Sequence, residues 1–122
     1  MRVLIADDDE LSLLVLAEMV AMVDAAAEVE TARDGAEALR ALGRSCFDLV
    51  LSDVEMPGLT GVEFVRRVRT ELEDPVPIVC VTAHAVVGDR ERLLMLGFDD
   101  YLAKPYDAAA LRRVLDRFAT RS

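Results

Sequence analysis

Residues 47–53 of this 122-residue chain read FDLVLSD, a mostly apolar run that ends on Asp53 and is followed by the breaker-rich stretch 54–58. A second apolar run, VLIA at residues 3–6, ends in the same way on the three aspartates at residues 7–9. Open α/β sheets bind ligands beyond the carboxyl ends of neighbouring parallel strands. If the two runs are such strands, their carboxylates meet in one crevice, which predicts an acidic pocket that attracts a cation.

Short β-branched runs alternate with longer segments of helical period along the whole chain. Five strand–helix pairs in strict alternation predict a parallel sheet with right-handed crossovers and helices on both faces. The predicted strands lie near 2–6, 28–32, 47–52, 77–82 and 99–102, and the predicted helices near 10–24, 34–43, 61–72, 86–96 and 107–119. Capping residues predict three of the helix starts: Asp34 for the second helix, Thr60 or Gly61 for the third and Asp107 for the fifth.

The second predicted strand, residues 28–32, alternates and carries acids, which favours a place at the edge of the sheet. That position favours the strand order 2-1-3-4-5, in which the switch point falls between residues 7–8 and Asp53. We therefore expect one domain over residues 1–122, with an α/β, doubly wound (βα)5 architecture: a five-stranded parallel sheet in a flavodoxin-like three-layer sandwich.

Composition limits the partners of this chain. Its 53% apolar and 30% charged residues are ordinary for a globular protein. The net charge of -9 and the lack of a basic stripe in the sequence argue against direct nucleic-acid binding. The first residues do not resemble a secretory signal and no apolar run reaches membrane-spanning length, so we expect a cytoplasmic chain without a membrane partner. Cys46 and Cys80 are too few for a disulfide framework.

Polar residues follow four of the predicted strands and face the same crevice. They are Asp7 and Asp8 after strand 1, Asp53 after strand 3, Thr82 after strand 4 and Lys104 after strand 5. Two carboxylates ~5 Å apart repel by roughly 3 kcal/mol at an effective dielectric constant of 20, so the acids need a cation. Mg²⁺ suits them because it combines one or two carboxylates with waters and a phosphate. Asp53 would then be a nucleophile that forms an acyl phosphate.

These motifs resemble the receiver domain of two-component response regulators, the CheY-like family. The resemblance covers essentially the whole chain and rests on four stretches in order: 3–9, 48–61, 81–83 and Lys104-Pro105. Further stretches, at 82–85, 88–92 and 97–105, are similar to receivers attached to hybrid histidine kinases and used in phosphorelays. Such a domain is a signalling switch rather than an enzyme, although it catalyses its own aspartyl phosphorylation and dephosphorylation.

The resemblance implies a separate role for each of the acids. Asp53 would take a phosphoryl group from a histidine kinase or a histidine phosphotransfer protein. Mg²⁺, with Mn²⁺ as an expected substitute, would be held by Asp7, Asp8, Asp53 and the backbone carbonyl of Glu55. Glu55 and His84 occupy variable positions that tune dephosphorylation in this family.

The resemblance also implies a switch. Thr82 and Lys104 would contact the phosphoryl oxygens, and a cis peptide between Lys104 and Pro105 would fix how the lysine enters the pocket. Tyr101 would swing inward when the Thr82 hydroxyl moves toward the phosphoryl group, and the surface of helix 4, strand 5 and helix 5 would read out the change. An output domain, a downstream protein and a phosphorylation-dependent homodimer all stay open as further partners.

The first helix is expected to dock the phosphodonor partner. With Val15, Leu16 and Met19 turned toward the sheet, the helical period turns Leu13 and Leu14 outward, beside the acidic pocket. The alternative is that these are scattered surface leucines without a partner. The arginine-rich run at residues 66–69 is expected to be a solvated helix face.

Two other functions remain to be separated from the receiver function. A phosphatase of the haloacid dehalogenase type also uses an aspartyl phosphate, but it places a second Asp where this chain has Glu55. Such an enzyme turns over many substrates, whereas a receiver is modified once per phosphodonor. A degenerate receiver that acts only as an interaction module would lack part of the polar set, and this sequence has all of it.

Overall fold

The computed structural model describes residues 1–53, 56, 58–83 and 89–119. Five strands and five helices alternate within these ranges and lie close to their predicted bounds, except that the predicted start of the fourth helix, residue 86, lies outside the described residues. The strands are β1 (Arg2–Ala6), β2 (Glu28–Ala32), β3 (Leu49–Asp53), β4 (Ile78–Thr82) and β5 (Asp100–Ala103). The helices are α1 (Glu10–Val23), α2 (Gly35–Arg44), α3 (Gly61–Thr70), α4 (Asp89–Met95) and α5 (Ala108–Ala119). In the described ranges, no helix combines the length and apolarity needed to cross a membrane.

The five strands form one parallel sheet in the order β2-β1-β3-β4-β5, which confirms the predicted order and the edge position of β2. Ala6 lies opposite Ser52 in the β1–β3 ladder, and Asp53 lies opposite Val81 in the β3–β4 ladder. The carboxyl ends of the three central strands are therefore level with one another. This alignment brings the residues that follow them to one edge of the sheet.

Two apolar clusters cover the two faces of the sheet. Successive residues of β1 and β3 point to opposite faces, as the two-residue period of a strand requires. One cluster joins the sheet to α1 and α5, and its fully buried members include Val3, Ile5, Leu49, Leu51, Val20 and Leu111. The other joins the sheet to α2, α3 and α4, and it includes Leu4, Val50, Ile78, Phe64, Val65 and Val68. Burial on both faces explains why β3 and β4 are apolar without alternation.

Side-chain caps begin the helices that the sequence predicted. Asp34 accepts a hydrogen bond from the N–H of Glu37 at 2.7 Å, and the hydroxyl of Thr60 accepts one from Glu63 at 3.2 Å. Each bond satisfies a donor that the first turn of a helix leaves without an internal partner. The predicted starts of α2 and α3 are confirmed.

Helix α1 buries a different face from the predicted one. Leu13, Leu16 and Val20 are buried, while Val15 is 46% exposed. The predictions that Leu13 faces outward and that Val15 faces the sheet are wrong, whereas Leu14, 57% exposed, does face solvent. Apolar residues surround this helix on nearly all sides, so its sequence period does not select one face. The fit against the sheet and α5 selects it instead.

Arg69, near the end of α3, holds together two chain connections, the one from α3 to β4 and the one from α4 to β5. Its guanidinium donates to the carbonyls of Asp74 at 2.8 Å, Val76 at 2.7 Å and Gly97 at 3.3 Å, and to the carboxylate of Asp99 at 2.9 Å. The prediction of a solvated helix face is therefore wrong at this residue. The five donors of an arginine fork suit it to such a junction.

Replacing this guanidinium tests how much the junction stabilises the fold. We expect Arg69→Met to lower the free energy of unfolding by about 2 kcal/mol, because carbonyls and a half-buried carboxylate lose charge-assisted hydrogen bonds. Arg66→Met, at an exposed position of the same helix, should stay within about 0.5 kcal/mol of the unmodified chain. Urea unfolding of the three proteins measures both effects, and equal midpoints for the two variants would contradict this role of Arg69.

Candidate functional site

Three carboxylates meet at the carboxyl edge of the sheet. Asp7 follows β1 directly, Asp8 comes next, and Asp53 is the last residue of the neighbouring strand β3. One oxygen atom of each carboxylate lies within 4.8 Å of the others. The structure thus brings together the three acids that the sequence placed in one crevice.

Asp7 has the most constrained position of the three. Its side chain is buried, its Oδ1 accepts the N–H of Asp9 at 2.9 Å, and its Oδ2 lies 3.6 Å from the Lys104 ammonium. Burial raises the pKa of Asp7 above the ordinary aspartate value, and the charges of Asp53 and Asp8 raise it further. The N–H of Asp9 and the Lys104 ammonium act in the opposite direction but do not cancel the rise in pKa. Ionised Asp7 is therefore destabilised in the folded chain, and a cation bound beside it would offset this cost.

Thr82 and Lys104 reach the same edge from β4 and β5. Thr82 is 8% exposed, and its carbonyl accepts the N–H of Lys104 at 2.8 Å. The Lys104–Pro105 peptide is cis. Because β4 lies beside β3, Asp53 is flanked by Asp7 on one side and by Thr82 on the other.

The donor set fits Mg²⁺. This ion takes oxygen ligands at 2.0–2.1 Å in octahedral geometry, so its opposite ligands stand about 4 Å apart and its adjacent ones about 3 Å apart. Carboxylate oxygens already within 4.8 Å of one another need only small side-chain movements to surround one ion. Three acids beside a single lysine also leave an excess of negative charge that a divalent cation offsets.

Asp9 belongs to the start of α1 rather than to the acidic pocket. It occupies the N-cap position, and its carboxylate accepts the hydroxyl of Ser12 at 2.7 Å. This hydrogen bond is the main reason why the pKa of Asp9 is lowered.

Tyr101 lies in the middle of β5, opposite Cys80 of β4, and is half-buried against the cluster under α2, α3 and α4. Among the residues predicted from the family pattern, Glu55 and His84 lie outside the described residues. The structure therefore describes the acids, Thr82, Lys104 and Tyr101, and leaves the two positions expected to tune dephosphorylation as predictions.

A groove of about 300 Å³ opens beside Asp7 and Lys104, between α1 and the connection from β5 to α5. Sequence reasoning missed this groove, because it depends on how α1 is rotated. Burial raises the pKa of Tyr106 in its wall, and the charge of Asp7 adds to the rise. The lining is mostly apolar: Leu11, Val15, Leu16, Met19, Val81, Pro105 and Tyr106, with Ser12 and the site residues Asp7 and Lys104.

Comparison with known sequences gives a consistent result. The family model of the response regulator receiver domain matches residues 3–116. The sensor protein GacS of Pseudomonas syringae pv. syringae is 37% identical over 118 residues. That match covers 93% of this chain but only 13% of GacS, so the chain spans about an eighth of the length of the curated relative it matches.

Comparison with solved structures extends the likeness to the fold. Chemotaxis protein CheY4 of Vibrio cholerae superposes with a TM-score of 0.85 at 34% identity, covering 96% of this chain and 97% of CheY4. The receiver domain of sensor histidine kinase PA1611 from Pseudomonas aeruginosa, solved with magnesium coordinated in its active-site cleft, gives 0.84 at 36% identity, with coverage of 96% and 95%.

A third solved structure contains a partner. It is a co-crystal of the Saccharomyces cerevisiae histidine phosphotransfer protein Ypd1 with the receiver domain of the response regulator Ssk1. That structure gives a TM-score of 0.87 at 25% identity, covering 97% of this chain and 88% of the other. With its fold, its acidic edge and a family match over nearly its whole length, this chain belongs to the response regulator receiver domains of two-component systems.

Proposed function

We propose that this domain is a phosphoryl-accepting switch, in which Asp53 takes a phosphoryl group from a phosphohistidine of a histidine kinase or a histidine phosphotransfer protein. The observation that carries the proposal is the meeting of three carboxylates within 4.8 Å beside the Lys104 ammonium. Acids crowded in this way destabilise the fold unless a cation joins them, which indicates selection for binding rather than for stability.

Asp53 is the best placed of the three acids to act as the nucleophile. Asp7 is buried and already engaged with the N–H of Asp9 and with Lys104. Asp53 is half-exposed and lies on the central strand β3, so a donor can approach it between the metal-binding acids and Thr82. Asp8 follows β1 and is one strand farther from β4.

The transfer exchanges one bond for another. A carboxylate oxygen of Asp53 attacks the phosphorus, the P–N bond of the phosphohistidine breaks, and its electron pair returns to the imidazole. The product is an acyl phosphate on Asp53. The Lys104 ammonium and the Thr82 hydroxyl contact the phosphoryl oxygens and stabilise the charge that they carry during transfer.

The metal site uses the remaining acids. The ligands that would hold Mg²⁺, or Mn²⁺ in its place, are Asp7, Asp8, Asp53 and the backbone carbonyl of Glu55. When bound, the ion offsets the charge of the carboxylates and of the phosphoryl oxygens. Support comes from the magnesium in the cleft of the PA1611 receiver domain.

Thr82 and Tyr101 carry the signal away from the site. Contact with the phosphoryl group draws the Thr82 hydroxyl toward Asp53, and the Tyr101 ring moves inward into the space that it leaves. Thr82 and Tyr101 lie on adjacent strands, β4 and β5, so a shift of one alters the packing of the other. The surface of α4, β5 and α5 then changes shape and is read by an output domain or a downstream protein.

The phosphodonor docks on α1. Leu11 and Val15 line the groove beside the site, and Leu14 is exposed next to them, whereas the buried Leu13 takes no part. An apolar groove that opens on the Asp7–Lys104 pair suits a helix that presents its histidine to Asp53. The co-crystal of Ypd1 with the Ssk1 receiver shows that one receiver of this fold pairs with a phosphotransfer protein, which supports the proposal.

Intact mass tests the chemistry. Incubation with acetyl phosphate and Mg²⁺ should add a single phosphoryl group to the chain, and neither Asp53→Asn nor a sample with chelator should gain it. Beryllofluoride binding serves as a control for rapid hydrolysis. An adduct that survives in Asp53→Asn, or phosphate release from acetyl phosphate that continues undiminished in Asp53→Asn, would contradict the proposal.

Asp7→Asn tests the trade between stability and metal binding. Because the pKa of Asp7 is raised on folding, its ionised form opposes folding at neutral pH. Without divalent ions, Asp7→Asn should therefore be more stable than the unmodified chain at pH 7. This gain should shrink as the pH falls through the raised pKa of folded Asp7, and it should be absent below the ordinary aspartate pKa, where Asp7 is protonated in both states.

Mg²⁺ should reverse that order of stability. At 100 times its dissociation constant it stabilises the unmodified chain by about 2.7 kcal/mol, while Asp7→Asn gains much less. Asp116→Asn, at an exposed position of α5, is the matched control and should follow the unmodified chain. Chemical unfolding with and without Mg²⁺ measures all three proteins, and an Asp7→Asn variant with the full Mg²⁺ gain would rule out its place in the metal site.

Truncation on α1 tests the docking groove. The double variant Leu11→Ala and Val15→Ala should slow transfer from a histidine-phosphorylated phosphotransfer protein by about tenfold or more, since interface anchors each contribute 1 kcal/mol or more. Its reaction with acetyl phosphate should not change. Met22→Ala, which is also exposed on α1 but lies outside the groove lining, is the control. Equal slowing with both donors would contradict docking at this groove.

A further inference from the structure

We propose that the outer edge of β5 binds an extended peptide segment of a partner by strand addition, with a carboxylate of that segment reaching Arg113. The inference goes beyond the proposed function, because it names what the readout side of the domain recognises. It rests on the proposed function only in taking the β5–α5 side as that readout surface.

The edge of β5 has backbone groups available for a further strand. In the described part of the chain β5 pairs only with β4 and ends the sheet. The N–H of Lys104 donates to the carbonyl of Thr82 and so faces β4. Because alternate residues of a strand face the same neighbour, Tyr101 and Ala103 direct their backbone groups away from β4. These are the groups that an added strand uses.

One half of this edge is already capped by the chain itself. The N–H of Tyr101 donates to Oδ1 of Asp100 at 2.8 Å, and Oδ2 of Asp100 is paired with Arg117 of α5. Short capped edges of this kind are a common protection against uncontrolled pairing. The cap covers Tyr101 and leaves the Ala103 end of the strand as the place where an added strand can begin.

A cleft of about 620 Å³ runs beside this edge and has room for a short segment. Its volume lies within the range of ligand pockets, ~300–1,000 Å³. All four residues of β5 line it, and α5 forms the opposite wall. The lining residues are Asp100, Tyr101, Leu102, Ala103, Pro105, Tyr106, Asp107, Ala110, Arg113, Val114 and Arg117.

The charged residues of the cleft indicate which kind of peptide segment would bind there. Arg117 is paired with Asp100, and Asp107 accepts the N–H of Ala110 at the start of α5. Within the described residues Arg113 makes no ion pair, so it presents a cation to the cleft. A carboxylate on the added strand would complete this pair.

A second copy of the chain is a poorer occupant than a partner peptide. Each copy carries a net charge of -9, so two copies repel as they approach. An extended segment with few charges avoids this repulsion and brings only the carboxylate that Arg113 needs.

Fluorescence anisotropy of the unmodified chain tests the inference. The probe is a fluorescein-labelled hexapeptide of alternating valine and threonine with one glutamate, and the matched peptides carry glutamine in its place or methylated alternate amides. We expect saturable binding of the probe, with affinity about tenfold lower for the glutamine peptide and for Arg113→Ala. Methylation should abolish binding, because it removes the N–H groups that pair with β5.

Arg112→Ala is the matched control, since Arg112 is the exposed neighbour of Arg113 on α5 and does not line the cleft. It should bind the probe as the unmodified chain does. No binding at millimolar probe, equal binding of the methylated peptide, or equal loss in Arg112→Ala and Arg113→Ala would each overturn the inference. So would a dimer in sedimentation that Arg113→Ala disrupts, because a second copy would then occupy the cleft.

The assay separates this inference from the proposed function. Peptide binding is measured on the unphosphorylated chain, whereas the phosphoryl adduct on Asp53 is read by mass. If the peptide does not bind but Asp53 still gains the phosphoryl adduct, the strand-addition inference is overturned and the proposed phosphoryl chemistry stands.

Discussion

The mutual repulsion of three carboxylates is the constraint on which the carboxyl edge of this domain depends. At 4.8 Å and an effective dielectric constant of 20, one pair of unit charges repels by about 3 kcal/mol. The acids stay together because β1 and β3 are neighbouring strands buried on both faces, so the core fixes the ends from which Asp7 and Asp53 extend. Lys104, 3.6 Å from Asp7, offsets only part of this charge.

The hydrogen-bonded junction at Arg69 and the acidic pocket lie at opposite ends of the strands. Arg69 joins the connections that lead into β4 and β5, at the amino ends of these strands. The acids, Thr82 and Lys104 follow the carboxyl ends. Strong hydrogen bonding at the amino ends of the strands allows their carboxyl ends to keep groups that oppose folding but fit a cation.

The sequence predicted the features that depend on local patterns. Strand order followed from the acidic alternation of β2, and the acidic pocket followed from two apolar runs that end on aspartates. It did not predict the rotation of α1, because Leu13, Leu14 and Val15 are all apolar and the helical period does not distinguish them. The junction at Arg69 was missed for another reason: three of its four partners are carbonyls, which leave no signal in the amino-acid types around them.

The groove beside α1 and the cleft beside β5 share one wall, the segment that contains Pro105 and Tyr106. This segment directly follows Lys104, so the site, the proposed docking groove and the proposed readout cleft are contiguous. The proposed contact between the phosphoryl group and Lys104 would therefore have a short structural path to both surfaces.

A crystal structure of the chain with Mg²⁺ and beryllofluoride tests the central claim most directly. The account predicts one Mg²⁺ with oxygen ligands from the aspartates of the acidic edge, and a beryllofluoride group on a carboxylate oxygen of Asp53 that contacts Lys104 and Thr82. Mg²⁺ bound elsewhere, or beryllofluoride absent from Asp53 while the fold is intact, would contradict it.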